Sequence, residues 1–250
     1  MATRYRKFLF QLQDRPLGAD QAGPSIITTG GLCVVTGAGT PLRSTLYDKD
    51  GASLANPITI SAGRGEFYTL DTVESVDLFI QTGDGQSVQL YDVEADALHL
   101  VPVDRGNPLQ TMVIPFHITN FATTVETDTG LDQTLTMAML PNPIVQVTTL
   151  DAGDTIDVGT DGTGGNDPDG FVDGVALDTA VCVKATRTNG SDTMGALLSV
   201  QDSANAGDLV PEPYINSVAE NITITMTGTT GAGYVFLSYL NMARNQPKIA

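Results

Sequence analysis

Thr45-Leu46-Tyr47-Asp48-Lys49-Asp50-Gly51, running on through Leu54-Ala55-Asn56-Pro57-Ile58-Thr59 to Gly63-Arg64-Gly65-Glu66-Phe67-Tyr68, is the stretch from which the fold can be read. Leu46 and Asp48 alternate with Tyr47 as strand residues do, because successive side chains of a strand point to opposite faces. Asp50-Gly51 and Asn56-Pro57 are turn dipeptides that cut the strands short and send the chain back on itself. The stretch reads as scaffold, with no arrangement of groups that would do chemistry.

The same signals extend to both sides. In the first half the pattern predicts strands over 26–29, 31–36, 42–47, 57–61, 66–70, 76–82 and 87–93, and a short helix near 95–98. Gly83-Asp84-Gly85 closes the last two strands as a hairpin, since glycine supplies the positive φ that tight turns demand. Val103 to Pro108 has the Gly, Asn and Pro content of a boundary. Beyond it, strands are expected over 112–118, 134–139, 144–150, 155–158, 180–186, 197–201, 221–227 and 234–240, the last two forming a hairpin across the glycine-rich 228–233. Apolar residues on both faces of 234–240 imply a central strand covered on both sides or by a neighbouring subunit. The expected fold is all-β: two β-sandwich or barrel domains over 26–107 and 108–250, the second jelly-roll-like, preceded by an N-terminal strand and extended arm over 1–25.

Phe8, Phe10 and Leu12 share one face of the first strand, and a loop-like run rich in Gly and Pro follows it. Such a strand either folds back onto its own sheet or adds to the edge of a neighbour's, with Phe8, Phe10 and Leu12 as the partner strand.

Charge narrows the function classes. The chain carries 12 basic and 29 acidic residues, net −17, and the imbalance is concentrated in residues 109–250, with 4 basic against 16 acidic. Nucleic-acid binding needs a basic patch, and none is visible. No apolar run approaches the ~20 residues of a membrane helix, and the N-terminus lacks a signal core. Cys33 and Cys182 each sit in an apolar run and read as buried free thiols.

The residues for catalysis are sparse. His99 and His117 belong to no recognisable motif, and no Gly-x-Ser-x-Gly elbow occurs. Acid pairs such as Asp48/Asp50 or Asp167/Asp169 suit glycoside hydrolysis in principle, but a chain without Trp lacks the usual sugar platform. No enzyme and no organic cofactor are expected. Asp161, Asp167, Asp169 and Asp173 lie in a glycine-rich run and are the candidate ligands for a calcium ion, which prefers hard oxygen donors. Gly165 and Ala176 occupy places where a full calcium loop has Asp and Glu, so the alternative is a solvated turn.

Tyr47-Asp48-x-Asp50-Gly51-x-x-Leu54-x-Asn56-Pro57-x-Thr59 with Gly65-x-Phe67-Tyr68, together with 144–160 and Asp169-Gly170-Phe171-Val172-Asp173-Gly174-Val175, resembles segments of structural proteins from tailed-bacteriophage virions. That resemblance implies a non-enzymatic part of the particle, located in the virion. The implied role is a capsid decoration (cement) protein that binds the outer capsid as a dimer or trimer and stabilises it, partnered by itself and by the major capsid protein or another virion protein. The alternative is a tail, collar or fibre-associated protein with a receptor-facing C-terminal domain, whose loops over 159–176, 187–195 and 202–213 would make contact.

Overall fold

The computed structural model describes residues 4–14, 27–103, 108–121, 124–133, 137–161, 167–179, 182–186, 193–201, 209–215 and 218–242. The chain forms two compact units, Met1–Pro108 and Leu109–Ala250. Every regular element described is a strand except one turn of 3-10 helix at Ala196–Leu198. No described helix is long and apolar enough to cross a membrane.

Unit 1 contains β1 (Tyr5–Asp14), β2 (Gly31–Gly37), β3 (Leu46–Tyr47), β4 (Ser53–Leu54), β5 (Ile58–Ile60), β6 (Arg64–Leu70), β7 (Ser75–Thr82), β8 (Ser87–Glu94) and β9 (Leu98–Val103). One sheet runs β4-β3-β6-β1-β9 and the other β5-β2-β7-β8. The apolar faces of both contribute to one buried cluster that includes Phe8, Phe10, Leu12, Cys33, Val35, Ile60, Phe67, Leu78 and Val101. The β7–β8 hairpin closes at Gly83-Asp84-Gly85 as expected.

The first strand is no arm. β1 lies inside its own sheet, antiparallel to β6 and parallel to β9. Phe8, Phe10 and Leu12 are buried in the unit's core, and the Phe8 and Phe67 rings stack 5.1 Å apart. Ladders on both edges and an apolar face sealed by the opposing sheet hold the strand in its own unit, the first of the two expected placements, while the arm expected to follow it, over 15–25, lies outside the described residues. The expected helix near 95–98 is likewise replaced by a turn with Asp96 at φ 63°, leading into β9.

The stretch that opened the reading is pinned by side-chain bonds to backbone. The Asp48 carboxylate accepts the N–H groups of Asp50 (2.9 Å) and Ala52 (2.8 Å), which fixes the turn between β3 and β4. Asn56 accepts the Val35 N–H and donates to the carbonyls of Val35 and Ser44, tying the next turn to β2. Two glycines are required by space. A Cβ at Gly63, where φ is +69°, would meet the Ile27 carbonyl, and one at Gly65 would enter the Phe10 ring.

Unit 2 contains β10 (Leu109–His117), β11 (Thr127–Gln133), β12 (Met137–Met139), β13 (Ile144–Thr149), β14 (Thr155–Asp161), β15 (Asp167–Ala176), β16 (Cys182–Lys184), β17 (Ser199–Gln201), β18 (Leu209–Pro211), β19 (Tyr214–Ile215), β20 (Glu220–Met226) and β21 (Ala232–Asn241). A six-stranded sheet runs β16-β13-β21-β12-β19 with β10 on the other side of β21. A four-stranded sheet runs β11-β20-β14-β15, and β17 pairs with β18. β21 is central, as its two apolar faces require.

β20 and β21 do not form the expected hairpin. They belong to different sheets, and the Gly228 to Gly231 segment carries the chain between them. The crossing is held by one carboxylate: Asp151 Oδ2 accepts the N–H groups of Thr229 (2.5 Å), Thr230 (2.6 Å) and Gly231 (3.1 Å). β15 was also hidden from the sequence, because Asp-Pro-Asp-Gly at its start reads as a turn.

Candidate functional site

In unit 2 the register of the six-stranded sheet decides which side chains share its outer face. Leu109 pairs with Leu240, Leu240 with Ala138, and Ala138 with Ile215, so one row crosses β10, β21, β12 and β19. Four residues along β21, beyond Ser238, Phe236 lies between Val113 and Ile144. Leu109 is 49% exposed, Leu240 39%, Ile215 56% and Ile144 40%. The opposite parity, Met112, Ile114, Val145, Val235, Leu237 and Tyr239, is buried in the unit's interior. An antiparallel sheet with one wet side normally alternates apolar in and polar out. Here the row through Leu109, Leu240 and Ile215 is apolar on the outside as well, while the next row, Thr111 with Ser238, is polar and Lys184 lies beside Ile144.

The four aspartates expected to bind calcium are distributed over the β14–β15 pair. Asp161 ends β14, and Asp167 and Asp169 open β15 with Asp173 further along. Asp167 and Asp169 are hydrogen-bonded to each other, and burial followed by that shared bond pushes Asp167 up to about 6. The Asp173 N–H donates to the Thr193 carbonyl. Among the described residues no three His, Cys, Asp or Glu side chains converge as a metal group, so the four do not meet as one cluster. Asp157, four residues before Asp161 on β14, accepts the Gly174 N–H at 2.6 Å, while burial pushes its pKa up.

A second acidic pair lies at the other end of β14. The Thr230 N–H, helped by those of Thr229 and Gly231, holds Asp151 below the usual carboxylate range. Its neighbour Asp154 is pushed up, first by burial and then by its bond to Asp151. These groups anchor a crossing between sheets and face no nucleophile.

Both histidines are tied into local backbone. His99 Nε2 is 2.8 Å from the Glu94 carbonyl, and His117 Nδ1 accepts the Thr119 N–H at 3.1 Å, with burial lowering its basicity. Both cysteines are free thiols. Cys33 is buried, with desolvation pushing its thiol pKa far above normal, but Cys182 is exposed on β16 and corrects the expectation that both are buried. Asp48 and Asp50 sit in the β3–β4 turn, where Lys49 pairs with Asp50 at 2.7 Å. Of the loops expected to make receptor contact, 162–166, 187–192 and 202–208 lie outside the described residues, and the rest of 159–176 holds the end of β14 and all of β15.

No family model matches the chain, and no curated protein matches it. Among solved structures it is similar to a chain in "Structure of infectious bursal disease virus Gx strain", at 12% identity and a TM-score of 0.20. The match covers 98% of this chain and 57% of that one. At that TM-score the likeness carries no argument about fold or role.

Proposed function

We propose that the chain is a non-enzymatic structural protein of a virus particle that packs against other protein through the outer face of the six-stranded sheet of unit 2. The single observation behind this reading is the row Leu109, Leu240 and Ile215, apolar and exposed across β10, β21 and β19 on one face. Contiguous apolar surface of this kind marks a protein contact, because covering it recovers roughly 25 cal/mol per Å². The sequence resemblance places the contact in a tailed-phage virion, and the reading taken is a decoration protein that docks on the capsid as a small oligomer. A tail or collar part would use the same face at low copy number.

The deciding measurement is the copy number per purified particle, by quantitative mass spectrometry against the major capsid protein, for the natural chain and for a Leu240→Lys/Ile215→Lys variant. Hundreds of copies, reduced in the variant while its circular dichroism is unchanged, is the expected result. A few tens of copies would move the protein to the tail, and full occupancy by the variant would remove this face from the contact.

A further inference from the structure

At one end of unit 2 the four-stranded sheet turns polar side chains inward. Glu220 and Gln133 are paired across the β20–β11 ladder, which puts their Cβ atoms about 4.5–5.5 Å apart. Both belong to the parity that faces the core, with Leu131 on β11 and Ile222 and Ile224 on β20 buried beside them. Glu220 is 3% exposed and Gln133 0%. Among the described residues neither carboxylate oxygen of Glu220 has a hydrogen-bond partner, nor has either polar atom of the Gln133 amide.

The same face gathers more oxygen. Ile222 pairs with Thr160 and Thr160 with Asp167, so Asp167 shares the inward face with Glu220. From the six-stranded sheet, Tyr214 pairs with the buried Met139 and faces the same interior, its ring 6.0 Å from that of Phe171. Its phenol is close enough to Glu220 and Asp167 that both carboxylates add to the effect of burial in hindering its ionisation.

A buried carboxylate without a counter-charge is strongly unfavourable, and it is normally paired or bound to metal. The chain has little to offer it. Lys184 is the one described Lys or Arg of unit 2, and it is exposed on β16. Among the described residues the ion pairs, Lys7–Glu66, Lys49–Asp50 and Arg64–Glu66, all lie in unit 1. Among the described residues no cation faces Glu220, and the donors beside one another there are a carboxylate and an amide carbonyl.

We propose that Glu220 and Gln133 form a buried site for a hard divalent cation of the calcium class. Glu220 supplies the charge and the Gln133 carbonyl a neutral oxygen, with Asp167 and Tyr214 lining the interior beside them and water completing the shell. Carboxylate, carbonyl and water donors select calcium or magnesium over thiophilic metals. With so few charged ligands, the expected dissociation constant falls in the weak class of about 10⁻⁴–10⁻³ M.

The test uses the full chain with Tb³⁺ as the probe, excited through tyrosine, and Ca²⁺ as competitor. The expected result is saturable emission that excess Ca²⁺ displaces, with Ca²⁺ also raising the thermal midpoint. Glu220→Gln weakens the apparent affinity at least about tenfold, since ligand charge sets affinity in such sites. Tyr214→Phe dims the emission but keeps the Ca²⁺-dependent rise in midpoint. Asp161→Asn, at an exposed carboxylate paired with the exposed Asn221 on the opposite parity, leaves the affinity unchanged. Wild-type affinity in folded Glu220→Gln overturns the proposal, as does a signal lost in Asp161→Asn alone. Should Glu220→Gln fail to fold, Gln133→Met takes its place, and a natural chain that neither sensitises Tb³⁺ nor responds to Ca²⁺ ends the matter by itself.

Discussion

On the outer face of unit 1's five-stranded sheet, Lys7 and Arg64 both reach Glu66, at 3.1 and 3.2 Å, and Tyr68 adds its hydroxyl to the same carboxylate. The Lys7 bond is the main reason Glu66 stays below its usual range. On the outer face of unit 2's six-stranded sheet, the corresponding surface carries Leu109, Leu240, Ile215 and Ile144. Inside, the contrast is reversed. Unit 1 buries a continuous apolar cluster, with single unpartnered oxygens at Thr36 and Gln86, whereas unit 2 buries a whole carboxylate and a whole amide, Glu220 and Gln133, without hydrogen-bond partners among the described residues. β1 completes the core of unit 1, but the outer face of its sheet also exposes Leu98 and Leu100 beside the Glu66 cluster. In unit 2 the apolar row and the buried Glu220–Gln133 pair are the features on which the docking and cation proposals rest.

The largest expected effect tests whether unit 1 is complete. Phe10→Ala removes a ring packed over Gly65 and should cost about 3–5 kcal/mol, read by urea denaturation, with hydrogen-exchange mass spectrometry assigning the loss to peptides of unit 1. A cost under about 1 kcal/mol, within the range of surface changes, would mean that β1 is dispensable, as an exchanging arm would be. For the same reason, deleting residues 1–24 should unfold unit 1 rather than merely release it from a partner.

The next effect belongs to unit 2 and is set by pH. Asp151 has a depressed folded-state pKa, so its stabilisation is present above the unfolded value near ~4 and is lost as pH falls through the folded value. Asp151→Asn should therefore lower the thermal midpoint at pH 7, and the gap from the natural chain should close toward pH 2–3. A gap that is constant with pH would mean the side chain acts by shape and not by charge.

The smallest effect has the opposite sign. Asp167 is pushed up to about 6, above its unfolded value of ~3.9. Above pH 6 the folded state carries a carboxylate it disfavours, and this penalty is relieved as pH falls from 6 toward 4. Asp167→Asn should raise the midpoint modestly at pH 8 and leave it unchanged near pH 4. An increase that persists at pH 4 would show that the Asp167–Asp169 bond is not what holds the proton.

The sequence determined that this protein is built of short strands. Period-two alternation in Leu46–Tyr47 or Val235–Leu237–Tyr239, with Asp-Gly and Gly-Asp-Gly turns between strands, is a local signal that survives without knowledge of partners. It also made β21 central, because apolar residues on both faces leave no side for water, and it marked the unevenness of charge. It could not place β1, since Phe8, Phe10 and Leu12 alternate identically in a home strand and in an exchanging one, and only the ladders to β6 and β9 decide between them. Nor could it separate β20 from β21, because whether a glycine-rich segment turns or crosses depends on Asp151, nearly 80 residues earlier in the chain. The calcium reading looked to aspartates clustered in sequence, while the buried unpartnered pair joins residues 133 and 220. Their meeting is a matter of register, and register is fixed only when the sheets pack.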